Sequence, residues 1–498
     1  MAGIGIKLNK IYRRNSLIAR IYGYVYSTVI TVAPMFVVIG AILLAQYLLR
    51  FSHASYLRRE LFADTVLYTF IFSLLAVSPF NAVLSKYISD VIFQEKYEHI
   101  MPCFYLGMGM TVVFGTLFAI PFCIHEYVVG QVEIYYVLTG YFCFTSLMLV
   151  FYTTIYLSIA KTYGKISLFF TVGMLLTVGM SLALHYLVHL ETTYALLLSL
   201  ASGFSLTAAL EIGLVRSFFR QNSGEYRPVL HYMRIYWQMI FINFLYTLGL
   251  YVHIFVFWTT DMRSVLVNTF VTAQPYDMAS CLAMFTNISA TIVFITNVEL
   301  RFRDRYRRYY EAVLGGRGHD IDSARGRLFR QLSSEVFSLI RVQFIITAVV
   351  FLLCMVLLPM FGFAGYVMQI YPSLSVGYFI LFVMYSEILF LYYFNDMYGA
   401  LLTAVLFCGG TWLGSLFSSQ LDVVWYGLGL IIGSLLGFST AYFRLRHIEK
   451  TIDEQTFCPS GSANELVTQA KGKRPSSMVY SKRAAALKKD VKSAKGSK

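Results

Sequence analysis

The residues in this sequence that could do chemistry are few and lie inside apolar runs. Asn243, Tyr246, Leu250, His253 and Phe257 recur at intervals of three and four, so a helix carries them on one face. Asp277, Ser280, Asn287 and Thr291 fall within about a quarter turn of each other on a second helix. Asp64, Tyr68 and Ser78 share a face ahead of Pro79. Glu387 stands in FVMYSEILFLYY, eight residues before Asn395. At 1.5 Å per residue it lies about 12 Å inside a helix end. A carboxylate at that depth in an apolar environment is costly, and is kept for function or paired. The candidate substrate path is therefore Asp64, Tyr68, Asn243, Tyr246, His253, Asp277, Ser280, Asn287, Thr291 and Glu387. The same residues could instead supply ordinary interhelical hydrogen bonds.

The usual catalytic signatures are missing. There is no GxxxxGK[ST] phosphate loop and no HExxH, so hydrolysis of nucleotide by the chain itself is not expected. His185 and His189 stand at i and i+4 with Glu191 beyond them, which is ligand spacing, but no further ligand is in reach. Seven cysteines are scattered singly through apolar runs, as small packing residues rather than a disulfide framework or zinc site. No catalytic residue, metal, cofactor or nucleic-acid partner is expected.

The elements that must position these groups are transmembrane helices. Of 498 residues, 58% are hydrophobic and 13% charged, with a mean hydropathy of +0.64. Soluble domains carry about 25% charged residues. The apolar residues cluster into runs long enough to cross a hydrocarbon core of about 30 Å as a helix. Twelve spans result: Tyr22–Leu49, Leu61–Leu84, Cys103–Ile124, Ile134–Ala160, Ile166–Val188, Tyr194–Val215, Ile235–Thr259, Met278–Val298, Ile340–Leu358, Tyr371–Phe394, Tyr398–Ser418 and Val424–Phe443. The first is read as a retained helix, being too long for a signal sequence and lacking a small-residue cleavage site.

Basic flanks stay cytoplasmic. With both termini inside, 36 of the 40 Lys and Arg residues fall on inner segments. Arg50, Arg58 and Arg59 sit on the wrong side, where they could snorkel to headgroups or attract an anionic ligand. The inner segment from Arg301 to Arg341 carries ten basic residues.

The fold class is thus an all-α polytopic membrane protein, with two six-helix halves of the same orientation related by a parallel pseudo-repeat, a transporter design. The halves are 1–220 and 221–457. Beyond them, 458–498 turns to Ser, Gly, Ala and Lys, a composition that cannot bury a core and reads as a disordered cytoplasmic tail or an electrostatic tether to anionic lipid. The 38 Tyr and 42 Phe would pack, form interfacial belts, or offer flat surfaces to sugar rings.

Several segments resemble the Pel exopolysaccharide exporters, the PelG type within the oligosaccharide and polysaccharide flippase superfamily. They are MAGIGIKLNK at the start, KYISDVIFQEKYEHIMP after the second span, and LYTLGLYVHIFVFW in the seventh. YDMASCLAMF with NVELRFRDRYRRYYEAV covers the eighth span and its connection, and LYYFND ends the tenth. The resemblance implies a twelve-helix exporter in the bacterial inner membrane that delivers a hexosamine-rich, partly deacetylated polymer for the biofilm matrix. It also implies a cytoplasmic glycosyltransferase and a cyclic di-GMP-sensing membrane protein as partners. Where the family pattern leads one to expect an acidic and basic pair in the seventh span, this sequence has His253 and Ile254, so ion coupling through such a pair does not carry over.

Two other classes compete. One is a lipid-linked oligosaccharide or drug exporter of the same architecture, and the other a membrane-embedded transferase, which would need clustered acid, base or nucleophile groups that the sequence does not show. The charge distribution predicts that an impermeant thiol reagent labels Cys458, or a cysteine near Arg317, only from the cytoplasm, and a cysteine near Glu133 only from outside. Opposite labelling at either end would overturn the twelve-span topology.

Overall fold

Helices form here because a chain surrounded by hydrocarbon must satisfy its own backbone donors and acceptors, which a single helix does alone. The computed structural model describes residues 17–159, 163–315, 317–360, 362 and 365–457. The tail 458–498 and the MAGIGIKLNK start lie outside the described residues. Twelve long helices and one short one follow in order: α1 Leu17–Leu48, α2 Tyr56–Phe93, α3 Ile100–Val128, α4 Ile134–Ile159, α5 Tyr163–Tyr186, α6 Thr192–Phe218, short α7 Arg227–Ile235, α8 Trp237–Phe257, α9 Gln274–Gly315, α10 Gly318–Met360, α11 Tyr366–Tyr393, α12 Met397–Ser418 and α13 Leu428–Phe457. Each expected span coincides with one long helix. Among the described residues ten helices are long and apolar enough to cross a membrane. The protein is a multi-pass membrane protein.

Two connections differ from expectation. The basic stretch between the eighth and ninth spans is largely helical: α9 and α10 run 42 and 43 residues, so both continue past their apolar parts. Ion pairs at helical spacing, such as Arg307 to Glu311 at 2.9 Å, let this charged stretch stay helical in water. Between α8 and α9 a hairpin forms, β1 Ser264–Leu266 antiparallel to β2 Phe270–Thr272, with Leu266 opposite Phe270. Val267 and Asn268 at its tip both have positive φ, as a tight turn matching the strand twist requires. The tight turn from α11 to α12 is written in LYYFND. Asn395 takes the left-handed conformation, and the Asp396 side chain accepts the Gly399 N–H at 3.0 Å.

Up to Tyr442 the chain forms one compact unit. The remainder of α13, from Phe443, is a second, with Arg446 paired to Glu449 at 2.7 Å. Within the first unit the repeat is visible in the packing. In the first half the pairs packed most extensively are α1/α5, α2/α3, α2/α4, α3/α4, α4/α6 and α5/α6. Shifted by six spans these become α8/α12, α9/α10, α9/α11, α10/α11, α11/α13 and α12/α13. The first four pack against each other. Gly377 against Leu430 makes the fifth, and Gly433 against Thr411 the sixth. The halves meet through α2/α8 and α1/α9, and the same shift exchanges these two pairs.

The α5/α6 pair and its counterpart α12/α13 use one device. A Cβ at Gly203 would lie 2.6 Å from the Gly173 carbonyl oxygen, and one at Gly433 would lie 2.7 Å from the Phe407 carbonyl oxygen. Backbone cannot retreat as a flexible side chain can, so only glycine permits these approaches. Gly203→Val and Gly433→Val should therefore lower the thermal midpoint in detergent, each costing about 1–3 kcal/mol or more by overpacking. Gly179→Val, on α5 where a Cβ meets nothing within 4 Å, should leave it nearly unchanged. Equal midpoints for all three would refute close helix contact.

Candidate functional site

The candidate residues fall into three groups, one where the hairpin joins the two halves and two among the helices of the second half. At the end carrying the β-hairpin, Tyr68 of α2 is locked onto β2. Its hydroxyl donates to the Val271 carbonyl at 2.8 Å and accepts the Val271 N–H at 3.0 Å. Its ring stacks on Trp258 with centroids 5.0 Å apart and planes 3° off parallel, and meets Phe122 and Phe270 edge or face on. Asp64, one helical turn away, is buried. Asp277 at the start of α9 accepts the Ala273 N–H at 3.0 Å and the Trp258 indole N–H at 3.1 Å, so its carboxylate holds this corner together. Gly130, in the α3–α4 turn, lets Thr269 of the hairpin approach closely, and Val267 packs on the first-half core. The hairpin of the second half is thus clasped onto the first.

In the middle, His253 of α8 is fully buried. Its Nδ1 lies 2.8 Å from the Tyr276 hydroxyl and its Nε2 3.4 Å from that of Tyr378. The Tyr378 hydroxyl also meets Ser280 Oγ at 2.8 Å. Three helices, α8, α9 and α11, are joined by one histidine whose two ring nitrogens both have partners.

Two turns along α8, the Tyr246 ring stacks on Tyr385 of α11 at 4.7 Å and 28°. Asn243, Tyr246 and Tyr385 are each partly exposed, unlike His253. Glu387 follows on α11, about 13 Å from Tyr378 at the helical rise. It is 1% exposed, and its Oε2 has no hydrogen-bond partner among the described residues. The side chains of Asn287 and Thr291 lie outside those described. Ser78 only bonds back to the Leu75 carbonyl of its own helix.

Other charged groups take positions the spacing did not give. Glu211 stands two turns before the end of α6. It is fully buried between α4 and α6, where Thr153 and Thr154 donate to its carboxylate. Arg58 pairs with Glu191 at 2.9 Å, which ties the start of α2 to that of α6 and draws Glu191 away from His185. His185 Nδ1 lies 3.2 Å from the Leu190 carbonyl oxygen.

A cavity of about 450 Å³ lies under the clasp, lined by α2, α3, α4, α8 and the hairpin. Sequence reasoning missed it because it ended the third span at Ile124, which left Glu126 outside. In the structure α3 continues to Val128 and Glu126 lines the cavity, 5% exposed.

The family model of the PelG exopolysaccharide exporters (EPS-E) matches residues 1–457. The chain belongs to this family. No curated protein matches the sequence. Solved structures with a similar fold include a multidrug resistance MATE transporter of the MOP superfamily in an inward-facing conformation, with TM-score 0.52 and 12% identity over 85% of this chain and 96% of that one. The Vibrio cholerae MATE transporter VcmN in its bent form gives TM-score 0.55 and 11% identity over 86% and 96%. A eukaryotic MATE transporter, AtDTX14, gives 0.55 and 12% over 85% and 95%. At such identities the likeness shows the fold: the two six-helix halves of this PelG-family chain are arranged as in those transporters.

For the PelG-family chain, sequence spacing found Asp64, Tyr68, Asp277 and His253 but not Trp258, Tyr276, Tyr378 or Tyr385, which complete their contacts. Trp258 follows directly on the Phe257 end of the α8 stripe, which was the available signal. If the clasp seals the cavity, Tyr68→Ala, which removes both hydrogen bonds and the stack, should speed modification of the native cavity-lining Cys123 by a small thiol reagent in a background lacking other cysteines. Tyr68→Phe, which keeps the stack, should raise it less. Unchanged rates in both would sink the clasp.

Proposed function

We propose that this chain exports a hexosamine-rich exopolysaccharide across the bacterial cytoplasmic membrane into the biofilm matrix, along the boundary between its two halves. The observation that carries this reading is the match of the PelG exopolysaccharide exporter family to every helix of the chain, residues 1–457. The partly exposed face of α8 and α11 supports it. Tyr246 and Tyr385 present stacked rings with hydroxyls, the kind of surface on which a sugar ring lies with its apolar face while its hydroxyls bond at the edge. Asn243 on the same stripe adds a donor and an acceptor.

In this reading both termini are cytoplasmic, which places the α9–α10 projection on the side where a cytoplasmic glycosyltransferase and a cyclic di-GMP-sensing membrane protein would deliver the growing polymer. The chain carries no phosphate-binding loop, and the drive would come from an ion gradient, from a partner, or from the polymer pushed by its own extension. The basic tail adds attraction to anionic lipid. A transferase reading finds little support in the site, where His253 and the hydroxyls bonded to it are fully buried. A lipid-linked oligosaccharide or drug exporter would share the fold and differ in cargo.

In the producing bacterium, Glu387→Gln and Tyr246→Ala should each reduce secreted polymer several-fold at unchanged membrane abundance, as measured by polymer blot and immunoblot of membranes. Normal secretion by both variants at normal abundance would refute the path. Polymer that stays at native levels after deletion of the whole chain would refute the cargo.

A further inference from the structure

The cavity under the clasp differs from the α8–α11 face in its chemistry. Ten of its twenty lining residues are aromatic, among them Phe118, Phe122, Tyr141 and Phe255. Three of its hydroxyls are spent on the protein: Thr65 on the Leu61 carbonyl and Tyr136, Tyr68 on Val271, and Tyr141 on Thr116. A sugar entering here would lose its water and find few free partners, at a cost in every unmade hydrogen bond. Glu126 is the exception. Its carboxylate lines the cavity and, among the described residues, has no hydrogen bond or ion pair. It also lies in the last turn of α3, where the carbonyl end of the helix dipole adds to its negative potential.

A buried carboxylate without a partner is unfavourable, and a cation offsets that cost. A metal ion would need several oxygens, and no group of three acidic, His or Cys ligands exists among the described residues. Ring faces, by contrast, attract organic cations. We propose that this cavity binds one lipophilic organic cation, with Glu126 as its charge partner and the surrounding rings as its cage. The volume is within the range of pockets for single drug-sized molecules, and Tyr68 and Phe270 of the clasp form its roof. This site is separate from the polymer path proposed above and does not depend on that reading.

The test uses the full chain in nanodiscs and tetraphenylphosphonium as probe, by equilibrium dialysis. The native protein should bind one equivalent saturably. Glu126→Gln should weaken binding roughly tenfold or more, the loss of a desolvated charge contact, while Glu126→Asp should retain most of it. Triphenylphosphine oxide, aromatic and bulky but without net charge, should bind weakly. In the native protein, tetraphenylphosphonium should also slow modification of Cys123, a readout that needs no variant at Glu126. Three results would overturn the proposal. They are no saturable binding or Cys123 protection by the cation, native affinity in a Glu126→Gln protein with native thermal midpoint, or equal affinity for the uncharged phosphine oxide.

Discussion

The interior of a membrane holds no water to satisfy a polar group, and the placement of nearly every polar side chain in this protein follows from that scarcity. Helices meet the demand for the backbone. Side-chain hydroxyls meet it by bonding back one turn, as Thr111 does to Gly107, Thr207 to Gly203 and Thr403 to Gly399. Larger groups need partners from other helices: two threonines for Glu211, two tyrosines for His253, and a tryptophan and a backbone N–H for Asp277. Against this background, two carboxylates with incomplete partnering, Glu126 and Glu387, stand out as positions where something other than the fold decides the residue.

The duplicated packing explains how such a molecule can carry cargo. The six most extensive helix pairs of the first half recur in the second, fixed at α5/α6 and α12/α13 by glycine contacts of backbone on backbone. The halves meet through the exchanged pairs α2/α8 and α1/α9, and through the hairpin and α7 against α2. Two repeats that share a boundary are the arrangement in which transporters rock one half against the other. The clasp then has a defined role at one end of that boundary. It joins the halves through a backbone-paired tyrosine and a flat ring stack, contacts that can be made and broken as a unit.

Sequence patterning determined the spans, because a helix that crosses hydrocarbon must be apolar for its whole crossing and the requirement is readable residue by residue. It also gave the two-half organisation and the shared faces of α2, α8 and α9, since helical spacing alone fixes which residues point together. It found Glu387, whose depth follows from counting residues to Asn395. The PelG-type segments were legible for the same local reason, and LYYFND turned out to encode a left-handed Asn and an N-capping Asp.

Which face meets which neighbour was decided only by tertiary structure. Whether His253 lined a path or packed could not be read from α8, because its partners Tyr276 and Tyr378 come from α9 and α11, up to 125 residues away. Glu211 lies two turns from the end of α6, yet helix packing closes over it and supplies the threonines. The hairpin escaped the pattern because three-residue strands carry too little periodicity to register. Glu126 escaped because hydropathy marks where apolar character fades, while α3 keeps its hydrogen bonds for another turn and folds the carboxylate under the clasp. Sequence fixes the periodicity of each helix, but a cavity exists only where several helices fail to touch, and no single helix contains that information.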